Sequence, residues 1–390
     1  MFDQTTLFSA STVHLEHITT ALNCLTPFGM KDDVLIIIDK DGLSFARENN
    51  RVISIQLYLS KELFISYNYN PPNEDADFHT KLCVKINHIL DGISIVSRDK
   101  DDVVECTLSY NGEGTPFVLI FEDSVITEKV EYSTYLVRDW DPTGLELEMD
   151  AITLECIMKG DVLYSALQDM KEVGCKECYL YARAAADGKH VFALISKGQL
   201  GLSKILLPSE RSILEKLEVY HPLSHERLYD SPVIGFFDFA TFDKMRSSAK
   251  IASKVLLRKD IHGLMSVNIL SQTDDIIVSD AKKPRAVKNT SLPLSKDYPG
   301  IVIDISVLEK IRMDEVDISE IRFLMESGDK SLAPAYNPVD VPEQRKMATG
   351  AVALQQDESL LFDKRSASEG PAKGADEEYL PATNDIPLFF

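Results

Sequence analysis

Apolar residues recur at helical spacing at Leu15, Ile18, Leu22 and Leu25. Gly29 follows, and two short apolar stretches, Val34 to Asp39 and Leu43 to Arg47, flank Asp41-Gly42 as the strands of a hairpin flank its turn. About 146 residues later the order returns. Val162, Leu163, Ala166, Leu167, Met170 and Val173 make a second helical stripe, Gly174 ends it, and Cys178 to Arg183 and His190 to Ser196 flank Asp187-Gly188. A helix-plus-hairpin unit written twice predicts a duplicated module. Neither copy can bury its apolar face alone, which points to an assembly rather than to an active-site cleft.

The pattern between the copies predicts further elements. Arg51 to Leu59 and Phe64 to Tyr69 read as strands, and Asn70-Pro71-Pro72-Asn73 as the start of a polar loop. Ile86, Ile89, Leu90 and Ile93 share one helical face, and Val103 to Tyr110, Phe117 to Glu122 and Val130 to Val137 complete the half. Residues 140–150 contain Pro142 and Gly144 without a clear period and read as a linker, so residues 1–139 form one domain. Residues 151–312 form the second, opened by Ile152 to Met158. Gly201 to Leu207 is a strand, Phe239, Phe242, Met245 and Ala249 lie on one helical face, and strands starting at Lys254, Gly263 and Ile301 close the domain. The polar stretch 279–297, with Pro284 and Pro293, reads as a mobile loop, and residues 313–390 as a mostly disordered acidic tail with 16 acidic against 7 basic residues.

With 390 residues, 44% of them apolar, the chain has enough material for two cores, and no apolar run reaches the roughly 18 residues of a membrane span. A formal net charge of -21 repels phosphate over most of the surface, so any contact with nucleic acid must be local. No signal peptide is evident, and the six cysteines read as reduced residues of an intracellular protein. Lys282-Lys283-Pro284-Arg285 with Lys288 has two readings, a nuclear import signal or a solvated loop.

Candidate chemistry is sparse. Asp39-Lys40-Asp41-Gly42 after an apolar strand matches the nucleophile signature of aspartyl-phosphate phosphatases, but Leu43-Ser44-Phe45 returns as a strand where a phosphatase needs a helix, which favours a hairpin turn. Asp274-Asp275 and Asp280, beside Asp39 and Asp41, have the residue types of a Mg²⁺-dependent nuclease without a spacing that demands one. Cys175 and Cys178 supply half a zinc site with no partner pair, so neither a metal nor a cofactor is expected. Basic residues do gather around two helices: Lys81, Lys85, His88 and Arg98 near one, and Lys244, Arg246, Lys250 and Lys254 near the other. Their two readings are contact with phosphate and a solvated face.

The order of elements resembles the eukaryotic sliding clamps of the proliferating-cell-nuclear-antigen (PCNA) family. The stretches FSASTVHLEHITTALNCLTPFG, KINHILD, LIFED, VEYSTYL, GCKECY, ALISKGQLG, RSILEKL, VIGFFDF, KIASKVL, SVNILSQTDD, DYPGIVI and DIPLFF are similar to the fungal form of the Rad-one-type subunit of the nine-one-one DNA-damage checkpoint clamp. The resemblance implies an α+β duplicated clamp fold, with antiparallel sheets outside and two helices per domain lining a ring interior. It also implies a heterotrimer with two paralogous subunits that is opened by an ATP-dependent clamp loader and encircles double-stranded DNA at junctions with single strands. In the nucleus such a ring recruits checkpoint kinase activators and repair enzymes without an enzymatic activity of its own. Two other functions stay open, a Mg²⁺-dependent 3'-5' exonuclease and a homotrimeric replicative clamp.

By clamp topology, one subunit edge would be the strand carrying Val130, Tyr132, Thr134 and Leu136, and the other the strand carrying Leu202, Lys204 and Leu206. Positions that are basic in the replicative ring fall near Glu16, Asn23, Asp91, Gln168 and Glu172. That leaves His17, Lys85, His88, Arg98, Lys171, Lys244, Lys250 and Lys254 as the expected DNA-facing residues. Ile386, Phe389 and Phe390 reproduce the apolar plug of clamp-binding peptides, although Thr383 stands where Gln is usual. This end could dock on a clamp or its loader, or pack on the fold itself.

Overall fold

Among the described residues, eighteen strands and a handful of helices follow the duplicated pattern. The computed structural model describes residues 6–29, 33–71, 79–96, 104–123, 125–135, 145–198, 201–222, 224–271, 300–310 and 315–326. In the first half, β1 (Phe8–Thr12) leads into α1 (Leu15–Asn23). A meander of β2 (Asp33–Ile38), β3 (Gly42–Asn49), β4 (Ile53–Ser60), β5 (Ser66–Tyr69) and β6 (Thr80–Lys85) follows, then α2 (Ile86–Val96) and β7 (Glu105–Tyr110), β8 (Phe117–Glu122) and β9 (Thr127–Tyr132).

The second half repeats this order. It runs β10 (Ile152–Lys159), α3 (Gly160–Glu172), β11 (Glu177–Arg183), β12 (Val191–Gly198), β13 (Gly201–Leu206), β14 (Leu214–Val219), β15 (Pro232–Asp238), α4 (Phe239–Phe242), α5 (Arg246–Ile251), β16 (Ala252–Asp260), β17 (Leu264–Ser271) and β18 (Ile301–Leu308). Among the described residues, a helix with no counterpart in the first half, α6 (Glu315–Glu326), follows β18.

The sheets expose the duplication. The first half builds a five-stranded sheet, β5-β1-β7-β8-β9, and the second a four-stranded sheet, β13-β12-β11-β15. The nine-stranded sheet β14-β10-β16-β17-β18-β4-β3-β2-β6 is the second half's copy of the five-stranded sheet joined to the first half's copy of the four-stranded one. The join is β18 against β4, antiparallel, from Ile301↔Leu59 to Val307↔Ile53. The halves separated by the linker are therefore one continuous ladder, and residues 1–328 form one compact unit.

Helix stripes and strand alternation feed one core. Ile18, Leu22 and Leu25 in the first copy and Leu163, Ala166, Leu167 and Met170 in the second are buried, and α1 lies against α2 as α3 lies against α5. Val173, expected in the second stripe, is instead 57% exposed, because α3 ends at Glu172 and the chain turns away there. The hairpin at Asp187-Gly188 forms as the sequence predicts, with Gly188 at φ 80 and the Asp187 carboxylate accepting from Lys189 N–H at 3.0 Å.

Several expectations are corrected. The single helix through Phe239, Phe242, Met245 and Ala249 is broken into α4, a 3-10 turn at Asp243–Met245 and α5, with all four residues buried. The strand expected over Val130 to Val137 is shifted toward the N-terminus, since the paired segment is Thr127–Tyr132. Tyr135 has already crossed to bridge Cys83 of β6, through backbone bonds of 2.9 and 3.0 Å. The acidic tail is ordered at its start, because α6 seals Ile321 against Tyr179, Tyr181, Ala193, Ile195 and Phe236. The loop at 279–297, the basic stretch at 282–288, Asp274, Asp275 and Asp280, residues 140–144 of the linker and residues 327–390 lie outside the described residues.

Candidate subunit and nucleic-acid interfaces

Of the six strands that end a sheet among the described residues (β5, β6, β9, β13, β14 and β15), two, β9 and β13, have copies that pair with each other at the internal seam. β9 pairs with β8 from Phe117↔Tyr132 to Glu122↔Thr127, and β13 pairs with β12 from Ala193↔Leu206 to Gly198↔Gly201. By strand order, β9 is the copy of β18 and β13 the copy of β4. Inside the chain those two copies are already bonded to each other. An unpaired strand edge is a template for a further strand, and here the geometry of that addition is displayed at the internal seam.

The side chains at these edges differ in role. At the tip before β9, Asp123 accepts from the N–H groups of Val125 and Ile126 at 2.6 Å each, which fixes a turn that leaves Val125 86% and Ile126 57% exposed. Those two backbone bonds hold the Asp123 carboxyl below its ordinary range. Val130 is half-buried. Tyr132 is buried and turned inward, its ring stacked with His88 at 6.5 Å, so it offers an edge only its backbone.

Thr134 lies beyond the paired strand and donates to Thr115 O at 2.8 Å, while Leu136 is outside the described residues. On β13, Leu202 and Leu206 are exposed. Lys204, between them, is half-buried and donates to the Leu324 carbonyl of α6 at 3.5 Å.

The basic residues expected to face DNA are not equivalent. Lys85, His88, Lys171, Lys250 and Lys254 are exposed. Lys254 is paired with Glu215 at 2.9 Å, and Lys171 lies 3.9 Å from Asp243. Lys244 is half-buried, its ammonium 5.7 Å from the centre of the Phe28 ring. Burial first, and then the nearby Arg47 charge, lowers its pKa. Arg246 is tied to Asp243 at 2.6 Å and to Gln168 at 2.9 Å. The His17 side chain and Arg98 lie outside the described residues, as do Ile386, Phe389 and Phe390. Asn23, Asp91 and Glu172, where the replicative ring is basic, are exposed here.

The enzymatic candidates resolve into structure where they are described. Asp39 Oδ1 accepts from Asp41 N–H and Gly42 N–H at 2.7 Å each, and β3 follows at once, so the carboxylate closes a hairpin turn. Cys175 and Cys178 are hydrogen-bonded to each other. That contact raises the Cys178 thiol well above its ordinary pKa, aided by burial, and lowers that of Cys175. Among the described residues no group of three or more His, Cys, Asp or Glu side chains gathers closely enough to hold a metal ion.

The sequence reading missed β1, β6, β14, β15 and α6. A signal was present for two of them: Pro232 suits the first residue of an edge strand, and Ile318, Ile321, Leu324 and Met325 make a helical stripe in an acidic stretch.

A family description, repair protein Rad1/Rec1/Rad17, matches residues 7–271. The chain is 63% identical over 396 residues, 98% of both chains, to the DNA damage checkpoint control protein RAD17 of Saccharomyces cerevisiae. It is 50% identical over 394 residues, 100% of both, to that of Eremothecium gossypii. A Schizosaccharomyces pombe checkpoint control protein, rad1, is 25% identical over 286 residues, 68% of this chain and 81% of that one. Among solved structures, the PCNA2–PCNA3 complex of Sulfolobus tokodaii matches with a TM-score of 0.54 at 12% identity, covering 78% of this chain and 100% of that one. PCNA from Thermococcus kodakaraensis matches with the same score and coverage at 11% identity.

Proposed function

This chain belongs to the Rad1/Rec1/Rad17 repair-protein family and is a subunit of a DNA-damage checkpoint sliding clamp, and from that premise we propose that it enters a ring with two paralogous subunits by adding a neighbour's strand to β9 and another's to β13. One observation carries the reading. The edge strands β9 and β13 are copies of β18 and β4, which already bond to each other within the chain, so a head-to-tail repeat of that seam covers both of these edges. The exposed residues Val125, Ile126, Leu202 and Leu206 beside these edges supply apolar contact area.

In the proposed ring the exposed faces of α1, α2, α3 and α5 turn toward double-stranded DNA. With Lys85, His88, Lys171 and Lys250 interspersed among Asp91 and Glu172, contact is sparse and independent of sequence, which suits a collar that slides. Loading at junctions by an ATP-driven machine, nuclear residence and recruitment of checkpoint kinase activators and repair enzymes complete the proposal. They rest on the family and on what the curated relatives are named for. A platform without catalysis fits Asp39, whose carboxylate is spent on a turn.

The test is to size the purified 43.7 kDa chain alone and after mixing with the two paralogous subunits. A monomer alone and a one-to-one-to-one complex with both partners is the expected result. A self-formed trimer would replace this reading with a homotrimeric clamp, and failure to join either partner would remove it.

A further inference from the structure

The outer face of the β13-β12-β11-β15 sheet is built to hold a helix. Tyr179, Tyr181, Ala193, Ile195 and Phe236 form one apolar surface on that side, with Tyr179 and Phe236 stacked at 4.6 Å. Its counterpart in the first half, the outer side of β4-β3-β2-β6, is more polar. There Ala46, Glu48, Ser54 and Gln56 line a shallow cleft with the linker residues Leu145 and Glu146. An aromatic outer face of this kind is a surface that water penalises unless something covers it.

What covers it is α6, and the cover has a readable code. Ile321 is buried on the aromatic face, and Leu324 and Met325 one turn later are partly buried there. Asp317, one turn before Ile321, and Glu320, next to it, both reach Lys197 Nζ, at 2.6 and 3.0 Å, and Tyr179 donates to Asp317 at 3.3 Å. At the other end Lys204 donates to the Leu324 carbonyl at 3.5 Å, a cation placed where the helix leaves its carbonyls unsatisfied. The reader is thus two lysines spaced along the sheet with aromatic rings between them. The ligand is an amphipathic helix with two acids, one and two turns ahead of an apolar pair.

The attachment is slight. Only one residue of α6 is buried, and the ion pairs of Lys197 with Asp317 and Glu320 are partly exposed, at sites where such pairs contribute little. Only four residues separate Lys310 from Glu315 in the sequence, so the helix is presented at an effective concentration on the order of millimolar and needs little intrinsic affinity to remain seated.

We propose that this face is a helix-docking site with α6 as its resident ligand, and that an acidic amphipathic helix of a partner protein takes the same place when it outcompetes the tethered one. The site does not depend on ring formation, so it stands or falls separately from the clamp reading.

The test uses the full chain. Ile321→Asp with Leu324→Asp unseats the resident helix without altering the sheet, and the probe is a labelled synthetic peptide with the sequence of residues 313–328. The peptide should bind the double variant at least about tenfold more tightly than the unaltered chain, the ratio a tether of millimolar effective concentration imposes on a weak ligand. Adding Lys197→Glu to the double variant should abolish that binding. Hydrogen exchange on the unaltered chain should show α6 opening far faster than β11 and β12. Three results would overturn the proposal: no peptide binding to the double variant, equal binding to both chains, or a double variant that no longer folds, which would make α6 an integral part of the core rather than a ligand.

Discussion

Gly92 and Tyr132 show how closely single residues are fitted. A Cβ on Gly92 would overlap the Tyr132 hydroxyl, and that hydroxyl is buried without a hydrogen-bond partner. Gly92→Ala should therefore cost about 1–3 kcal/mol by overpacking. Tyr132→Phe should be neutral or stabilising and should rescue the alanine variant, all read as urea midpoints. Asp304, opposite Gln56 at the seam and bonded by Asn268, has its carboxyl pushed upward chiefly by burial. A raised folded pKa means stability is lost as the pH rises through it. Asp304→Asn should then be more stable than the unaltered chain at pH 7, with the difference closing below about pH 3.9. An advantage that persists in acid would contradict this cause. At this scale the sequence was legible wherever burial follows periodicity, as at Leu163 and Met170, and opaque at Lys244, because nothing local announces that Phe28 will lie beneath it.

Elements were legible in proportion to how strongly their own pattern speaks. The hairpins at Asp39–Gly42 and Asp187-Gly188 carry turn chemistry and form as read. β14, with Leu214 and Leu217 three apart and charges between them, has a helix-like spacing that only its pairing with β10 overrides. The stripe of α6 was masked by the acidic composition around it. The edges were predicted from resemblance, and the displacement of β9 shows the limit of that route, since the crossing of Tyr135 to Cys83 is set by a contact 52 residues away in sequence. Leu206→Glu tests the β13 edge. With Leu206 at 53% exposure, the change should shift stability by no more than about 0.5 kcal/mol. Titration with each paralogous subunit should nevertheless show at least tenfold weaker association with one of them and unchanged association with the other. Two unaffected pairings would remove β13 from the interface.

For the whole molecule, a net charge of -21 has to coexist with an approach to DNA, and the exposed lysines of the helix faces are where that balance can be measured. Reversing Lys171 and Lys250 to Glu should leave assembly intact, lower retention on circular duplex DNA and reduce the slope of log affinity against log salt by about 2. Lys244→Glu should instead lower stability, because its ammonium rests on Phe28 between the halves. An unchanged slope in the double reversal would move the DNA path elsewhere. The seam between the halves has a mechanical corollary. A ladder running unbroken through seven paired positions, from Ile301↔Leu59 to Val307↔Ile53, leaves no fault line between the two halves at this seam. Whatever prises such a collar apart must therefore part it at a boundary between polypeptides, and each chain will swing as a stiff plank rather than bend at its middle.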